Sequence, residues 1–169
     1  MNHVETAGSR QPGIILIVDD DADELLLTQM VVADVCPHVA IKAVRSGAEL
    51  IDYVKGEGGF SDPAEFPYPV LILLDLRMPG MHGFEVLAWL TTHPPHHGVP
   101  VVVLTGAGEV AMAQQAYALG ARSFLTKPLN LTELKHMMET IGNFGESRGQ
   151  PGASAAPVPR PSSEGLGLS

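Results

Sequence analysis

Several polar side chains in this sequence end or follow short apolar runs, and their residue types could bind a cation together with an anion. These residues are Asp19, Asp20, Asp21, Asp75, Thr105 and Lys127. Crowded carboxylates repel one another, and a hard divalent cation with oxygen ligands, such as Mg²⁺, relieves that repulsion. If the residues converge, the metal, the Lys127 ammonium and the Thr105 hydroxyl could contact the oxygens of a phosphoryl group.

Five segments are predicted to be strands. The strongest are residues 14–18, 70–74 and 101–104, which are apolar throughout. They show no alternation at every second residue, and continuous apolar runs are typical of strands covered on both faces in a parallel sheet. Residues 39–44 and 122–125 are weaker strand candidates.

Helices are predicted between and after these strands, over residues 23–35, 48–55, 84–91, 110–119 and 131–141. Ser46 and Glu49 have the spacing of a capping box for the second helix. The alternation of strands and helices predicts an α/β fold with a doubly wound, five-stranded parallel sheet. Such sheets bind ligands at the carboxyl ends of their strands. The polar residues named above are therefore expected to meet at that edge.

The domain organisation follows from length and composition. With 169 residues, 45% of them hydrophobic and 17% charged, the chain suits one globular domain. We predict an N-terminal extension over residues 1–13, one domain over residues 14–141 and a disordered tail over residues 142–169. The tail is rich in Gly, Pro and Ser and buries too little apolar surface to offset its ordering entropy. The long connection over residues 56–69 is interpreted as an ordered flap.

Composition also argues against several partners. No apolar run approaches the roughly 20 residues that span a bilayer, and the net charge of −9 gives no positive field for nucleic acid. The N-terminus lacks the layout of a secretory signal, and Cys36 is the single cysteine, so no internal disulfide can form. We predict a cytoplasmic protein that binds neither membranes nor nucleic acid.

Four segments carry a resemblance to a known family: ILIVDDD, LILLDLRMPGMHGFEVL, VVVLTGA and SFLTKPL, in that order. With them the chain resembles the receiver domain of two-component response regulators, of the stand-alone, single-domain type. The resemblance implies a flavodoxin-like (βα)5 fold. It also implies a phospho-acceptor switch rather than an enzyme, phosphorylated by a sensor histidine kinase or a histidine phosphotransfer protein.

The resemblance assigns the acceptor and the metal ligands. It implies that Asp75 is phosphorylated and that Asp19, Asp20, Asp75 and the backbone carbonyl of Arg77 bind Mg²⁺. No organic cofactor is implied.

The resemblance also assigns the residues that read the phosphorylated state. It implies that Thr105 and Lys127 contact the phosphoryl group and that Thr105 and Phe124 form the switch. The bond between Lys127 and Pro128 is usually cis in the family. We expect the output to be a downstream protein contact or onward phosphotransfer, made through the fourth helix, fifth strand and fifth helix. Residues 56–69 resemble an extension in receivers that pair with phytochrome-type kinases and dimerise, which makes a homodimer a further expected partner.

Each residue also has a purely structural explanation. The aspartate run could be a solvated first turn, Asp75 a turn former, Thr105 a cap and Lys127 a surface lysine. Their joint occurrence at successive strand ends favours the functional interpretation. A phosphatase of the haloacid dehalogenase type would need a second acid two residues after Asp75, where Arg77 stands. A receiver that binds partners without phosphorylation is disfavoured by the intact residue set.

Two further groups are interpreted as structural. His93, His96 and His97 lie in a loop with two prolines and are expected to be exposed rather than to form a metal site. Cys36 is expected to be a small apolar filler near the end of the first helix.

Overall fold

Five strands and five helices alternate along the chain in the computed structural model, which describes residues 13–78 and 80–141. The strands are β1 (Ile14–Val18), β2 (Ala40–Val44), β3 (Pro69–Asp75), β4 (Val101–Thr105) and β5 (Ser123–Thr126). The helices are α1 (Ala22–Val35), α2 (Gly47–Lys55), α3 (Gly83–Thr92), α4 (Val110–Ala118) and α5 (Leu131–Ile141). The predicted tail and, apart from Gly13, the predicted N-terminal extension lie outside the described residues.

The strands form one parallel sheet in the order β2-β1-β3-β4-β5. This confirms the predicted doubly wound, flavodoxin-like architecture. The order reverses between β1 and β3, so the carboxyl ends of these two strands form the crevice where ligands of such sheets bind. Both strands end in a carboxylate: Asp19 follows β1, and Asp75 is the last residue of β3.

Alternate side chains of the central strands enter two separate hydrophobic layers. In β1, Ile14, Leu16 and Val18 face α2, α3 and α4, whereas Ile15 and Ile17 face α1 and α5. Both faces of the sheet are thus covered by helices. This explains why the strand segments of the sequence are apolar throughout and show no period of two.

The predicted helix start at Ser46 is confirmed, with one difference in the capping bonds. The Ser46 hydroxyl oxygen accepts the Glu49 N–H at 3.1 Å. The Glu49 carboxylate reaches one residue further back than a capping box requires and accepts the Arg45 N–H at 3.0 Å. Within residues 13–78 and 80–141, no helix is long and apolar enough to cross a membrane.

The long connection after α2 is ordered, as interpreted from the sequence. It contains a short 3-10 helix (Gly58–Phe60), and the rings of Tyr53, Phe60 and Phe66 pack on one another at centroid distances of 5.2 to 5.9 Å. The Tyr53 hydroxyl donates a hydrogen bond to the Pro67 carbonyl at 3.0 Å. This aromatic packing fixes the connection against the core.

The expectation of an exposed histidine loop is wrong for His96, which is buried. Its ring stacks on the rings of Tyr68 and Trp89, and its Nδ1 lies 2.9 Å from the Tyr68 hydroxyl. The physical reason is the long connection, which brings Tyr68 over the histidine. Cys36 is half-buried, and burial raises the pKa of its thiol, in agreement with a role as a filler.

Candidate functional site

Four polar residues meet at the carboxyl edge of the sheet because the strands are parallel and in register. Val18 pairs with Leu74, Asp75 with Leu104, and Thr105 with Thr126. These pairings place at one edge the residues that end or follow neighbouring strands, namely Asp19, Asp75, Thr105 and Lys127. The first three are buried, with exposures of 0%, 7% and 3%. The sequence prediction of convergence is therefore confirmed for these four residues, whereas the Asp21 side chain caps α1 by accepting the N–H groups of Asp23 and Glu24.

Lys127 is the centre of the ionic contacts in this cluster. Its Nζ lies 2.7 Å from Asp19 Oδ2, 2.5 Å from Glu24 Oε2 and 3.1 Å from Asp75 Oδ2. Burial lowers the pKa of the ammonium, but the hydrogen bonds that it donates to Asp19 and Glu24, together with the nearby carboxylate charges, outweigh burial and raise the pKa above its ordinary value. Lys127 therefore stays cationic at neutral pH.

Asp75 is a carboxylate in an environment that opposes its ionisation. Burial raises its pKa to about 6, and the charge of Asp19 adds to that increase. The Arg77 N–H, which donates to Asp75 Oδ1 at 3.0 Å, and the Lys127 ammonium act in the opposite direction. At neutral pH the carboxylate is ionised but poorly solvated, which suits a nucleophile or a metal ligand.

Three carboxylates of this cluster could hold a metal ion. One oxygen each from Asp19, Glu24 and Asp75 lies within 4.8 Å of the other two. Carboxylate oxygens are the donors that Mg²⁺ and other hard cations require, so the donor set fits such an ion. Glu24 was not predicted from the sequence, although it lies in the first turn of α1, one turn after Asp20.

The Asp20 carboxylate and the Arg77 carbonyl were predicted as metal ligands, and the two residues lie differently with respect to the three-carboxylate group. In the described part of the chain, Asp20 is not a member of the three-carboxylate group; its backbone carbonyl accepts a hydrogen bond from Arg45 Nη2 at 2.8 Å. The Arg77 backbone lies next to the cluster, because its N–H donates a hydrogen bond to Asp75 Oδ1. The metal-binding roles of the Asp20 carboxylate and the Arg77 carbonyl remain predictions.

The loop after β4 contains a second ionic contact that the sequence did not indicate. Glu109 accepts the Gly106 N–H through Oε2 at 2.7 Å, and its Oε1 pairs with the guanidinium of Arg77. The Glu109 side chain is 12% exposed and that of Arg77 is 69% exposed. This contact connects the segment after Asp75 to the segment after Thr105.

A close backbone approach fixes the turn that follows Asp75. Gly83 begins α3, and its N–H donates to the Leu76 carbonyl at 3.3 Å. A Cβ atom at Gly83 would lie 2.5 Å from Leu76 Cα and 2.8 Å from the Asp75 carbonyl oxygen. Only glycine fits there without displacing backbone.

The two predicted switch residues occupy neighbouring strands. Thr105 is buried at the end of β4. Phe124 is half-buried on β5, and its ring packs edge-on against Tyr117 of α4 at 5.9 Å. The peptide bond between Lys127 and Pro128 is cis, as expected. The switch function itself remains a prediction.

Comparison with known proteins agrees with these features. The model of the response regulator receiver domain family matches residues 15–139. The response regulator Rcp1 of Synechocystis sp. is 34% identical over 137 residues, which cover 80% of this chain and 90% of Rcp1. The Mn²⁺-bound form of Rcp1 has a solved structure that aligns with a TM-score of 0.62 and 30% identity, over 83% of this chain and 99% of that chain.

Two further solved structures are similar. The bacteriophytochrome response regulator RtBRR aligns with a TM-score of 0.71 and 30% identity, covering 86% of this chain and 87% of its own. The phosphorylated cyanobacterial phytochrome response regulator RcpA aligns with a TM-score of 0.64 and 31% identity, over 83% of this chain and 98% of its own.

Proposed function

The chain belongs to the response regulator receiver domain family of two-component systems, and from that premise we propose that it accepts a phosphoryl group on Asp75. The donor is the phosphohistidine of a sensor histidine kinase or of a histidine phosphotransfer protein. The observation that carries the proposal is the position of Asp75, a buried carboxylate at the end of β3 that contacts Lys127 at 3.1 Å. RcpA, a similar protein, is described in its phosphorylated form.

The transfer is a substitution at phosphorus. A carboxylate oxygen of Asp75 forms a bond to phosphorus while the bond from phosphorus to the donor imidazole nitrogen breaks. The electron pair of that bond remains on the imidazole, which takes up a proton from solvent. Lys127 is already fixed beside Asp75, so its charge can stabilise the phosphoryl oxygens without reorganisation, and the Thr105 hydroxyl supplies a further hydrogen bond.

The carboxylates of the cluster fit a Mg²⁺ requirement. Asp19 and Asp75, together with Asp20 and the Arg77 carbonyl as predicted, would hold the ion, and Glu24 is a further candidate ligand. When bound, Mg²⁺ would neutralise charge on the phosphoryl oxygens during transfer. The Mn²⁺-bound form of Rcp1 supports a divalent cation site in a similar protein.

Hydrolysis of the aspartyl phosphate would return the protein to its resting state, which makes it a signalling switch rather than an enzyme with a separate substrate. The position two residues after Asp75 holds Arg77, whose guanidinium is paired with Glu109, so no second acid is available there for phosphatase chemistry. Thr105 and Phe124 would transmit occupancy to a protein partner, or to a second copy of the chain, at α4, β5 and α5.

Exposed apolar side chains on α1 suit the docking of the phosphoryl donor. Leu26, Leu27 and Met30 are 56%, 61% and 61% exposed on the first turns of this helix. The donor histidine must reach Asp75, so the donor protein must contact the surface around the site, and α1 begins three residues after Asp19. Apolar side chains at such a surface favour protein contacts. Nothing in this proposal requires nucleic acid or a membrane, and a cytoplasmic location stays a prediction.

Phosphate-affinity electrophoresis after incubation with acetyl phosphate and Mg²⁺ tests the proposal. Wild type is expected to give a retarded, acid- and heat-labile band, and Asp75→Asn is expected to give none. Asp34→Asn, at an exposed position of α1, is the matched control and should behave as wild type. A retarded band of equal intensity from Asp75→Asn would reject Asp75 as the acceptor.

A further inference from the structure

Glu109 connects the two loops that follow the proposed acceptor Asp75 and the proposed hydroxyl contact Thr105. Its Oε2 accepts the N–H of Gly106, the residue after Thr105, at 2.7 Å. Its Oε1 pairs with the guanidinium of Arg77, whose own N–H donates to Asp75 Oδ1 at 3.0 Å. One carboxylate therefore links the segment after β3 to the segment after β4.

The two partners of this ion pair differ in how firmly they are held. The Glu109 side chain is 12% exposed, and one of its oxygens is fixed by a charge-assisted hydrogen bond to the backbone. The Arg77 side chain is 69% exposed, and within residues 13–78 and 80–141 its guanidinium makes no other ion pair or hydrogen bond. Glu109 is thus the fixed partner, and Arg77 is the one that can move.

A phosphoryl group on Asp75 would place new negative charge next to the backbone nitrogen of Arg77. The planar guanidinium fork binds phosphate oxygens as well as it binds a carboxylate. Glu109 and the phosphoryl group are then two anions that require the same cation. We propose that Glu109 is a positioning residue, which holds the Arg77 guanidinium at the loop after β4 and competes with the phosphoryl group for it.

This inference rests on the proposed phosphorylation of Asp75. It predicts in which direction the loss of the Glu109 charge changes the stability of the phosphorylated state. Removal of the Glu109 charge would release Arg77 to the phosphoryl oxygens and so stabilise the phosphorylated state. Glu109→Gln removes the charge but keeps an oxygen that can accept the Gly106 N–H. If the substitution only disordered the loop after Thr105, the site would bind an anion more weakly, which is the opposite effect.

The test measures the dissociation constant of beryllofluoride, a phosphoryl mimic, by calorimetry in Mg²⁺ buffer. Four proteins are compared: wild type, Glu109→Gln, Arg77→Ala and the double variant. We expect Glu109→Gln to bind the mimic about threefold more tightly than wild type, a size typical of a partly exposed ion pair. In the Arg77→Ala background the same change should have no effect, because the guanidinium that Glu109 retains is absent.

The outcomes separate this inference from the proposed function. Equal effects of Glu109→Gln in the two backgrounds, or weaker binding in the wild-type background, would overturn the role of Glu109 while leaving Asp75 as the acceptor. Failure of wild type to bind the mimic would overturn the proposed function and, with it, this inference.

Discussion

Lys127 Nζ lies 3.1 Å from Asp75 Oδ2, although the two residues are 52 positions apart in the chain. The contact depends on the parallel pairing of β3 with β4 and of β4 with β5, which brings the ends of the three strands together. Asp75 is consequently a buried anion beside a single ammonium that it shares with Asp19 and Glu24. Because three carboxylates share one ammonium, the cluster carries excess negative charge in the absence of a metal ion.

The first prediction concerns stability and pH in metal-free buffer. Burial raises the pKa of Asp75 from 3.8 to about 6 in the folded protein. Between pH 3.8 and about pH 6 the folded state binds more protons than the unfolded state, so the free energy of unfolding falls as the pH rises. The whole of this loss is present above about pH 6. Asp75→Asn should therefore raise the free energy of unfolding at pH 7.5, by about 3 kcal/mol at most, and hardly at all near pH 4.

Urea denaturation with a chelator present, repeated from pH 4 to pH 8, checks this stability difference. Asp34→Asn serves as control, because its exposed position should give little change at any pH. A gain for Asp75→Asn that is constant across the whole range would show that the ionisation of Asp75 is not its cause.

The second prediction concerns Asp20, which is a predicted metal ligand but is not a member of the group formed by Asp19, Glu24 and Asp75. Asp20→Ala should weaken Mg²⁺ binding about tenfold or more, because loss of one carboxylate lowers the charge and the oxygen donors of the site. Calorimetric titration measures the change. Asp23→Ala is the matched control, since Asp23 is an exposed acid on the first turn of α1. Equal Mg²⁺ affinity in Asp20→Ala and wild type would remove Asp20 from the ligand set.

The third prediction concerns the turn after the acceptor. Gly83→Ala should destabilise the protein by about 1 to 3 kcal/mol, because the added Cβ would overlap backbone atoms of Leu76 and Asp75. Thermal unfolding provides the measurement. Gly59→Ala is the control, since nothing lies within 4 Å of a Cβ placed there. A melting temperature of Gly83→Ala equal to that of wild type would mean that the turn relaxes freely.

The fourth prediction separates docking from chemistry. Leu27→Lys and Met30→Lys should each slow phosphotransfer from a histidine kinase about tenfold, the effect of losing an apolar anchor worth roughly 1.4 kcal/mol. Phosphorylation by acetyl phosphate should be unchanged, because this small donor does not contact α1.

The kinase for that comparison is the one from the source organism that phosphorylates the wild-type protein fastest. Ala118→Lys is the control, because Ala118 is exposed at the end of α4, on the face of the sheet opposite α1. If the α1 variants slow phosphorylation by the kinase and by acetyl phosphate equally, they disturb the phosphorylation site itself. The docking proposal would then be wrong.

The sequence was sufficient to predict the strands and the four residues that converge at their ends. Continuous apolar runs identify strands buried on both faces, and parallel pairing brings the residues at their ends to one edge whatever the side-chain detail. The convergence of Asp19, Asp75, Thr105 and Lys127 could therefore be predicted from the sequence alone.

Contacts that depend on side-chain reach could not be predicted in this way. Glu109 lies in a loop without periodicity, and its pairing with Arg77 depends on how two loops approach each other. His96 was expected to be exposed because its own segment is polar and proline-rich. Its ring is instead stacked on Trp89 of α3 and on Tyr68, which comes from the long connection after α2. Glu24 carried a weak signal, its spacing of one helical turn from Asp20, which has many structural explanations.

The most direct test of the central claim is to locate the phosphoryl group itself. The wild-type protein is incubated with acetyl phosphate and Mg²⁺, the acyl phosphate is reduced with borohydride, and the peptides are sequenced by mass spectrometry. We predict homoserine in place of Asp75 and at no other aspartate, and none at all when Mg²⁺ is replaced by a chelator. Homoserine at another aspartate, or its absence from the wild-type protein with Mg²⁺ present, would contradict the account.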